Sequence, residues 1–167
     1  PGTVLAGPDE ESAAWVKAVA APLGLEVLIG RKVRNGDRDV EIVLPGRKRA
    51  AGREVILVDD VISSGGTLIA CAGQLREAGA AQIHIRISSP PVKWPCFYGI
   101  DFASRAELIA AGMSIDEIRR NIGADSLGYV SLEGLQAATT IPADRLCSAC
   151  FTGEYPVEIP EDISAGK

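Results

Sequence analysis

The sequence has no apolar run long enough to cross a bilayer and no charged-then-apolar amino-terminal stretch, so neither a membrane span nor a secretory leader is expected. It contains no internal repeat and no low-complexity tract. It also lacks a basic excess. With 17 Lys and Arg against 22 Asp and Glu, the formal net charge is −5, which argues against a non-specific nucleic-acid surface. The run Arg47-Lys48-Arg49 is too short to reverse that and reads as a solvated connection. Cysteine is scarce: four residues, at 71, 96, 147 and 150, are spaced too unevenly for a disulfide scaffold in a chain of this size. A cytoplasmic location is the default expectation. The chain starts at Pro1 rather than Met, which predicts a piece processed or cut from a longer sequence.

What is present fits one domain with a real core and an appended lobe in 167 residues. The organising stretch is Val55-Ile56-Leu57-Val58-Asp59-Asp60-Val61-Ile62-Ser63-Ser64-Gly65-Gly66-Thr67. Four apolar, mostly β-branched residues predict a parallel strand buried on both faces. Two carboxylates stand at its carboxyl end. A Ser/Gly loop then enters a segment with Leu68, Cys71, Ala72 and Leu75 at helical spacing, so the loop closes on a helix amino terminus, where N–H groups and the helix dipole favour a phosphate. Gly65 and Gly66 let the backbone approach an anion, and Ser63, Ser64 and Thr67 offer hydroxyls. Asp59 and Asp60 are then placed to hold a sugar's vicinal hydroxyls, directly or through Mg²⁺. The ligand this pattern points to is a ribose 5-phosphate. The plainer alternative is a strand-turn-helix in which Asp60 and Ser63 only cap the helix, which leaves the paired acids poorly explained.

Along the chain, residues 3–6 read as a strand, and 7–12 as a turn into a helix with Trp15, Val16, Val19 and Ala20 on one stripe, ended by Pro22 and Gly24. Residues 25–30 predict a strand, 31–39 an exposed loop or hairpin tip around Asn35-Gly36, and 40–44 another strand. Gly79 stops the helix after Thr67. Residues 83–87 alternate, with three isoleucines facing the core and His84 and Arg86 facing away. His84, the only histidine, reads either as a partly covered sheet-face residue or as a catalytic or metal-binding one. Beyond Ser88 the prolines at 90, 91 and 95 enforce an extended path around Trp94, Cys96, Phe97 and Tyr98. Short helices are expected at 104–111 and 114–121 and near Ser131, and Ser114 to Glu117 fits a capping box. Residues 154–167 read as a loosely held tail.

The loop motif closely resembles the ribose-binding loop of the type I phosphoribosyltransferase superfamily. The rest of the resemblance divides. Residues 2–78 are similar to the carboxyl-terminal half of a ribose-phosphate pyrophosphokinase, on Gly7-Pro-Asp-Glu-Glu-Ser12, Lys32-Val-Arg34, Gly36-Asp-Arg-Asp-Val40 and the Asp59-Asp60 loop. Residues 83–160 are similar to the end of a glutamine amidophosphoribosyltransferase, on the run Arg86 to Asp101, on Ile122-Gly-Ala-Asp-Ser-Leu-Gly-Tyr129 and on Cys147-Ser-Ala-Cys-Phe-Thr-Gly153. The chain looks like a mosaic. The resemblance implies an α/β fold: a phosphoribosyltransferase-type parallel sheet flanked by helices, with a carboxyl-terminal helical and irregular extension. The expected division is a core at 1–90, an extension packed on it at 91–153, and the tail at 154–167.

By the same resemblance, Lys32 and Arg34 are catalytic residues on a mobile loop that closes over pyrophosphate, with Asp9 and Glu10 on the loop beneath. Asp59, Asp60, Ser63, Ser64, Gly65, Gly66 and Thr67 bind the sugar phosphate, and Asp59 and Asp60 take Mg²⁺ through it. The implied reaction transfers the phosphoribosyl group of phosphoribosyl pyrophosphate to ammonia, in purine synthesis. The family's glutaminase domain, with its terminal Cys nucleophile, has no counterpart in these residues, and its usual Arg-Gly-Thr loop ending is replaced by Ser64-Gly65-Gly66-Thr67. Two other readings stand beside this one: a pyrophosphokinase-like domain acting on ribose 5-phosphate and ATP, and a non-catalytic nucleotide-sensing or metal-binding module. Cys96, Cys147 and Cys150 match three of the four positions that hold a 4Fe–4S cluster in some amidotransferases. Completed by water, His84 or another chain, they are candidates for zinc or an incomplete cluster; reduced thiols in a core are the alternative. The expected partners are phosphoribosyl pyrophosphate or ribose 5-phosphate and further copies of the chain.

Overall fold

Val55-Ile56-Leu57-Val58 lies within the central strand of a five-stranded sheet. In the computed structural model, which describes residues 2–34, 40–99 and 104–160, the chain forms β1 (Val4–Gly7), α1 (Ala13–Ala20), β2 (Glu26–Ile29), a hairpin of β3 (Arg31–Arg34) and β4 (Val40–Val43), β5 (Glu54–Asp59) and α2 (Gly66–Glu77). It continues through β6 (Gln82–Ile87), α3 (Ile109–Gly112), α4 (Ile115–Ile122), β7 (Ser126–Tyr129), α5 (Leu132–Thr139) and α6 (Ala149–Thr152). The sheet order is β2-β1-β5-β6-β7, with every pairing parallel. This is the expected α/β architecture.

Strand alternation sorts the side chains into two faces. Val4, Ala6, Val55, Leu57, Ile83, Ile85 and Ile87 pack with Leu68, Cys71, Ala72 and Leu75 of α2 and Ile118 and Ile122 of α4 in the main core. All four α2 positions read at helical spacing are buried. On the other face, Leu5 packs with Val16 and Ala20 of α1, and Ile56 and Val58 are only half-buried there. The expectation that the apolar run is buried on both faces is therefore corrected. One eight-residue helix is too small to cover the second face across β5, and the same face continues in β6 with His84 and Arg86, opposite Ile56 and Val58. His84 takes its sheet-face role: Nδ1 lies 2.8 Å from Ser126 Oγ and Nε2 lies 3.2 Å from Gln82 Oε1.

Two further elements differ from the sequence reading. Of the loop or hairpin tip read at 31–39, the hairpin holds, but residues 31–34 are its first strand and not its tip, paired antiparallel with β4 in the register Arg31↔Val43 to Arg34↔Val40. The tip of that hairpin, 35–39, lies outside the described residues. The sheet also gains β7, beyond residue 90, and Ala110, Ile118, Ile122 and Ala124 join the main core. The basic run at 47–49 is not simply solvated, because Arg49 lies 2.8 Å from Glu26, which Arg53 also grips at 2.5 Å. The 154–160 stretch is tethered: Tyr155 Oη donates to the Pro95 carbonyl at 2.7 Å and Tyr98 Oη to the Val157 carbonyl at 2.9 Å. No helix among the described residues is long and apolar enough to cross a membrane.

Candidate functional site

The chain runs from β1 outward to β2, then returns to place β5 on the other side of β1. Such a reversal opens a crevice at the carboxyl ends of the two inner strands, where ligands of open α/β sheets bind. Here those ends carry Pro8-Asp9-Glu10 and Asp59-Asp60.

From β5 the backbone passes through Asp59 and Asp60 into the loop that starts α2. Gly65 sits at φ 82°, a left-handed conformation that glycine adopts without steric cost. Among the described residues no hydrogen-bond partner engages the amides of Ser63 through Thr67. Asp59 and the residues of the 61–68 loop, Ser63 through Thr67 among them, line a hollow of about 60 Å³. The loop is anchored from outside by the Ile109 N–H, which donates to the Ser63 carbonyl at 2.9 Å.

Asp59 lines this hollow, and neither acid is buried in the core. Asp60 is exposed, with Oδ1 accepting from the Val61 N–H at 2.9 Å. Asp59 is half-buried, and burial pushes its carboxyl up to about 7; the charges of Asp60 and Asp9 push the same way, against the hydrogen bond from the Asp60 N–H. Behind them Cys71 is buried, its thiol pushed up to about 12 by that burial and then by the charges of Asp59 and Asp9.

Asp9 is fixed by Ser12, whose N–H donates to Oδ1 at 3.1 Å and whose hydroxyl donates to the Asp9 carbonyl at 2.5 Å. Its Oδ2 meets Lys32 Nζ at 2.8 Å. That hydrogen bond holds the Lys32 ammonium above its usual range, helped by the charges of Asp9, Glu11 and Asp59 and opposed by desolvation. Glu10 pairs loosely with Arg31 at 3.9 Å. Arg34 closes β3 opposite Val40. The structure thus brings Asp9, Glu10, Lys32, Asp59, Asp60 and the Ser63–Thr67 loop to one crevice.

Two open clefts flank the loop, and Ser64 lines both. One, of about 870 Å³, runs between the hairpin and α2 past Lys32, Gly66, Thr67 and Gln74. The other, of about 770 Å³, is lined by Arg105, Leu108, Ile109, Met113 and Asn121. Sequence reasoning missed Ser12, Gln74 and Arg105. Ser12 alone carried a signal, as the hydroxyl that closes the acidic turn at 7–12.

Comparison with known proteins identifies the family. The model of the phosphoribosyl transferase domain matches residues 2–88. The chain belongs to that family. It is 52% identical over 128 residues to the amidophosphoribosyltransferase of Mycobacterium tuberculosis (strain ATCC 25618 / H37Rv), covering 74% of this chain and 24% of that protein. A solved structure described as the allosteric regulatory enzyme of purine biosynthesis superposes with TM-score 0.81 at 37% identity, over 96% of this chain and 38% of that one. The glutamine phosphoribosylpyrophosphate amidotransferase from B. subtilis, complexed with ADP and GMP, superposes with TM-score 0.80 at 37% identity, over 99% and 41%. The chain therefore spans about a quarter of the length of the curated relatives it matches (24%). Both resemblances read from the sequence fall within the phosphoribosyltransferase superfamily.

The cysteine expectation fares differently. Cys96 and Cys150 are half-buried and Cys147 is exposed. Burial raises the Cys150 thiol, and the nearby Cys96 and Cys147 add to that. Yet among the described residues no three His, Cys, Asp or Glu side chains converge into a metal-holding group. Cys96 Sγ instead accepts from the Tyr98 N–H at 3.4 Å, and His84 is engaged on the sheet. No chemistry is assigned to a 4Fe–4S or zinc site at these cysteines.

Proposed function

We propose that this chain binds phosphoribosyl pyrophosphate with Mg²⁺ and transfers its phosphoribosyl group to ammonia. The observation that carries this reading is the hollow of about 60 Å³ at the start of α2, lined by Asp59 and by the loop whose Ser63–Thr67 amides are unengaged among the described residues. A phosphate there is held by N–H groups at a helix amino terminus, and the sugar then extends toward the two acids.

In the transfer, the ammonia lone pair forms a bond to ribose C1 as the bond from C1 to the pyrophosphate oxygen breaks. Pyrophosphate leaves with that electron pair, and the nitrogen gives up a proton to solvent. Positive charge develops at C1 and negative charge on the departing group, so anions beside the sugar and cations beside the pyrophosphate lower the barrier. Asp59 and Asp60 supply the first. Lys32 and Arg34, on the hairpin that borders the larger cleft, supply the second, and Asp9 and Glu10 support them from below. The half-buried Asp59 carboxyl, raised by burial and by its acidic neighbours, is an electrostatic arrangement short of positive charge, which fits a divalent cation. Mg²⁺ at Asp59 and Asp60 neutralises phosphate charge when bound. In this reading residues 91–153 form an extension packed on the 1–90 core, and the chain works as a homo-oligomer.

The test is calorimetry followed by turnover. Phosphoribosyl pyrophosphate with Mg²⁺ binds the full chain, and added ammonia releases pyrophosphate at a rate that depends on both substrates. Binding of ATP but not of the sugar pyrophosphate would replace this reading with the kinase one, and binding of neither would remove both.

A further inference from the structure

Arg105 lines the cleft on the far side of Ser64 from Lys32, and its place there is built. Its guanidinium carbon lies 3.8 Å from the centroid of the Trp94 ring, a contact in which the ring face attracts the cation. Trp94 is itself fixed from two sides. Its backbone N–H and that of Lys93 both donate to the Cys150 carbonyl, at 3.1 and 3.0 Å. Gly153 backs the indole so closely that a Cβ there would come within 2.7 Å of Cε2. Among the described residues no carboxylate forms an ion pair with Arg105. Glu107, two positions on, is occupied by the Ser104 N–H and hydroxyl at 2.9 and 3.2 Å.

The phosphate hollow has the opposite deficit. Its amides and hydroxyls bring no full charge, and Ser64 lines both the hollow and the Arg105 cleft. The Ile109 N–H that holds the Ser63 carbonyl ties the loop to the segment carrying Arg105.

We propose that Arg105 is a phosphate-recognition residue, serving the 5-phosphate of the bound pentose from the side opposite Lys32, and that Trp94 is the positioning residue that keeps its guanidinium there. This rests on the sugar-phosphate reading above. It gives the carboxyl-terminal extension a direct part in substrate binding, since Trp94, Gly153 and Cys150 all belong to it.

The test titrates the full chain and its variants with ribose 5-phosphate, phosphoribosyl pyrophosphate with Mg²⁺, and inorganic pyrophosphate. Arg105→Ala weakens both sugar phosphates by about tenfold, the value of one charge-assisted contact at an exposed position, and leaves pyrophosphate unchanged. Arg105→Lys recovers part of the loss, because a point charge lacks the fork of a guanidinium. Trp94→Leu weakens both sugar phosphates, and the double variant is no weaker than Arg105→Ala alone, a coupling that a merely structural tryptophan does not produce. Melting temperatures within a few degrees of the parent identify folded variants. Unchanged sugar-phosphate affinity in Arg105→Ala overturns the proposal while leaving the parent reading intact. A loss confined to pyrophosphate, or shared equally by it, overturns the 5-phosphate assignment. If the parent chain itself binds neither sugar phosphate, the functional reading falls and this inference falls with it.

Discussion

Lys32 Nζ rests 2.8 Å from Asp9 Oδ2, so a residue of the hairpin is held by the loop that follows β1. Asp9 is in turn held by Ser12, which is almost fully buried at 2% exposure. The hairpin lies outside the main sheet, and this pair is one of its links to the crevice. If Lys32 meets the departing pyrophosphate, Lys32→Ala lowers kcat by about 100-fold with little change in affinity for ribose 5-phosphate, since removing one transition-state donor costs roughly that much. Asp9→Asn keeps the ammonium but loosens its support, so its loss is smaller, about tenfold. Steady-state kinetics with ammonia and the sugar pyrophosphate check both. Equal losses in the two variants count against Lys32 as the contact and Asp9 as the support.

Asp59 gives the site a pH dependence whose sign is fixed by its environment. Its folded value of about 7 lies above the ordinary carboxyl value of 3.8, mainly because burial disfavours the carboxylate. Its contribution to stability is then fully present below the unfolded value and is lost as pH rises through the folded one. Asp59→Asn, which cannot ionise, stabilises the chain by on the order of 2 kcal/mol near pH 8, and the gain disappears near pH 4. Urea unfolding at the two pH values measures it. Cation binding requires the ionised form, so affinity for the sugar pyrophosphate with Mg²⁺ rises with pH up to about 7 in the parent chain, and Asp59→Asn together with Asp60→Asn abolishes it.

Local pattern was a good guide wherever one element meets the core along its whole length. The isoleucines at 83, 85 and 87 and the α2 positions 68, 71, 72 and 75 are buried as their spacing requires. The Ser/Gly loop was legible because a strand, two acids and a helix start are contiguous in sequence. β3 was not, since Arg31, Lys32 and Val33 are exposed in a hairpin apart from the main sheet, and no alternation marks such a strand. β7 is four residues long with Gly128 inside it, too short and too weak a β-former to stand out. Arg105 on Trp94 left no trace at all, because the contact exists only once Cys150 and Gly153 have folded back onto the 93–94 backbone.

Gln74 joins α2 to the hairpin. Its Oε1 accepts from the Leu44 N–H at 2.9 Å and its Nε2 donates to the Ile42 carbonyl at 2.5 Å, beside two buried side chains. Gln74→Ala leaves both backbone groups unpaired and costs about 1–3 kcal/mol. Gln74→Glu is the sharper test, because a carboxylate keeps the acceptor for Leu44 but faces the Ile42 carbonyl without a proton to give. Both variants lower the urea midpoint, and, if the hairpin serves the pyrophosphate end as proposed, both weaken phosphoribosyl pyrophosphate more than ribose 5-phosphate. A full-strength urea midpoint in Gln74→Glu sinks the clamp.

The thiols should separate by environment when an alkylating reagent is added to the native chain at neutral pH. Only the thiolate reacts, so access and the thiol's titration set the order. Cys147 is exposed and reacts first. Cys150 is half-buried, with its thiol raised by that burial and by the neighbouring cysteines, and follows slowly. Cys71 is buried under α2 with its thiol pushed up to about 12, and its Sγ lies 3.7 Å from the Pro8 carbonyl directly behind Asp9. It stays unmodified until the chain unfolds, and full labelling in urea confirms that the reagent reaches every thiol. Mass spectrometry of the digested protein reads the order. Labelling of Cys71 in the native state would mean that α2 lifts away from the β1 loop, and the phosphate hollow, which shares that helix, is then not a fixed cradle. Conversely, slower labelling of Cys147 and Cys150 when ribose 5-phosphate is bound would show that the carboxyl-terminal extension tightens on the site, the response expected if Trp94, held by the Cys150 carbonyl, carries Arg105 to the sugar phosphate.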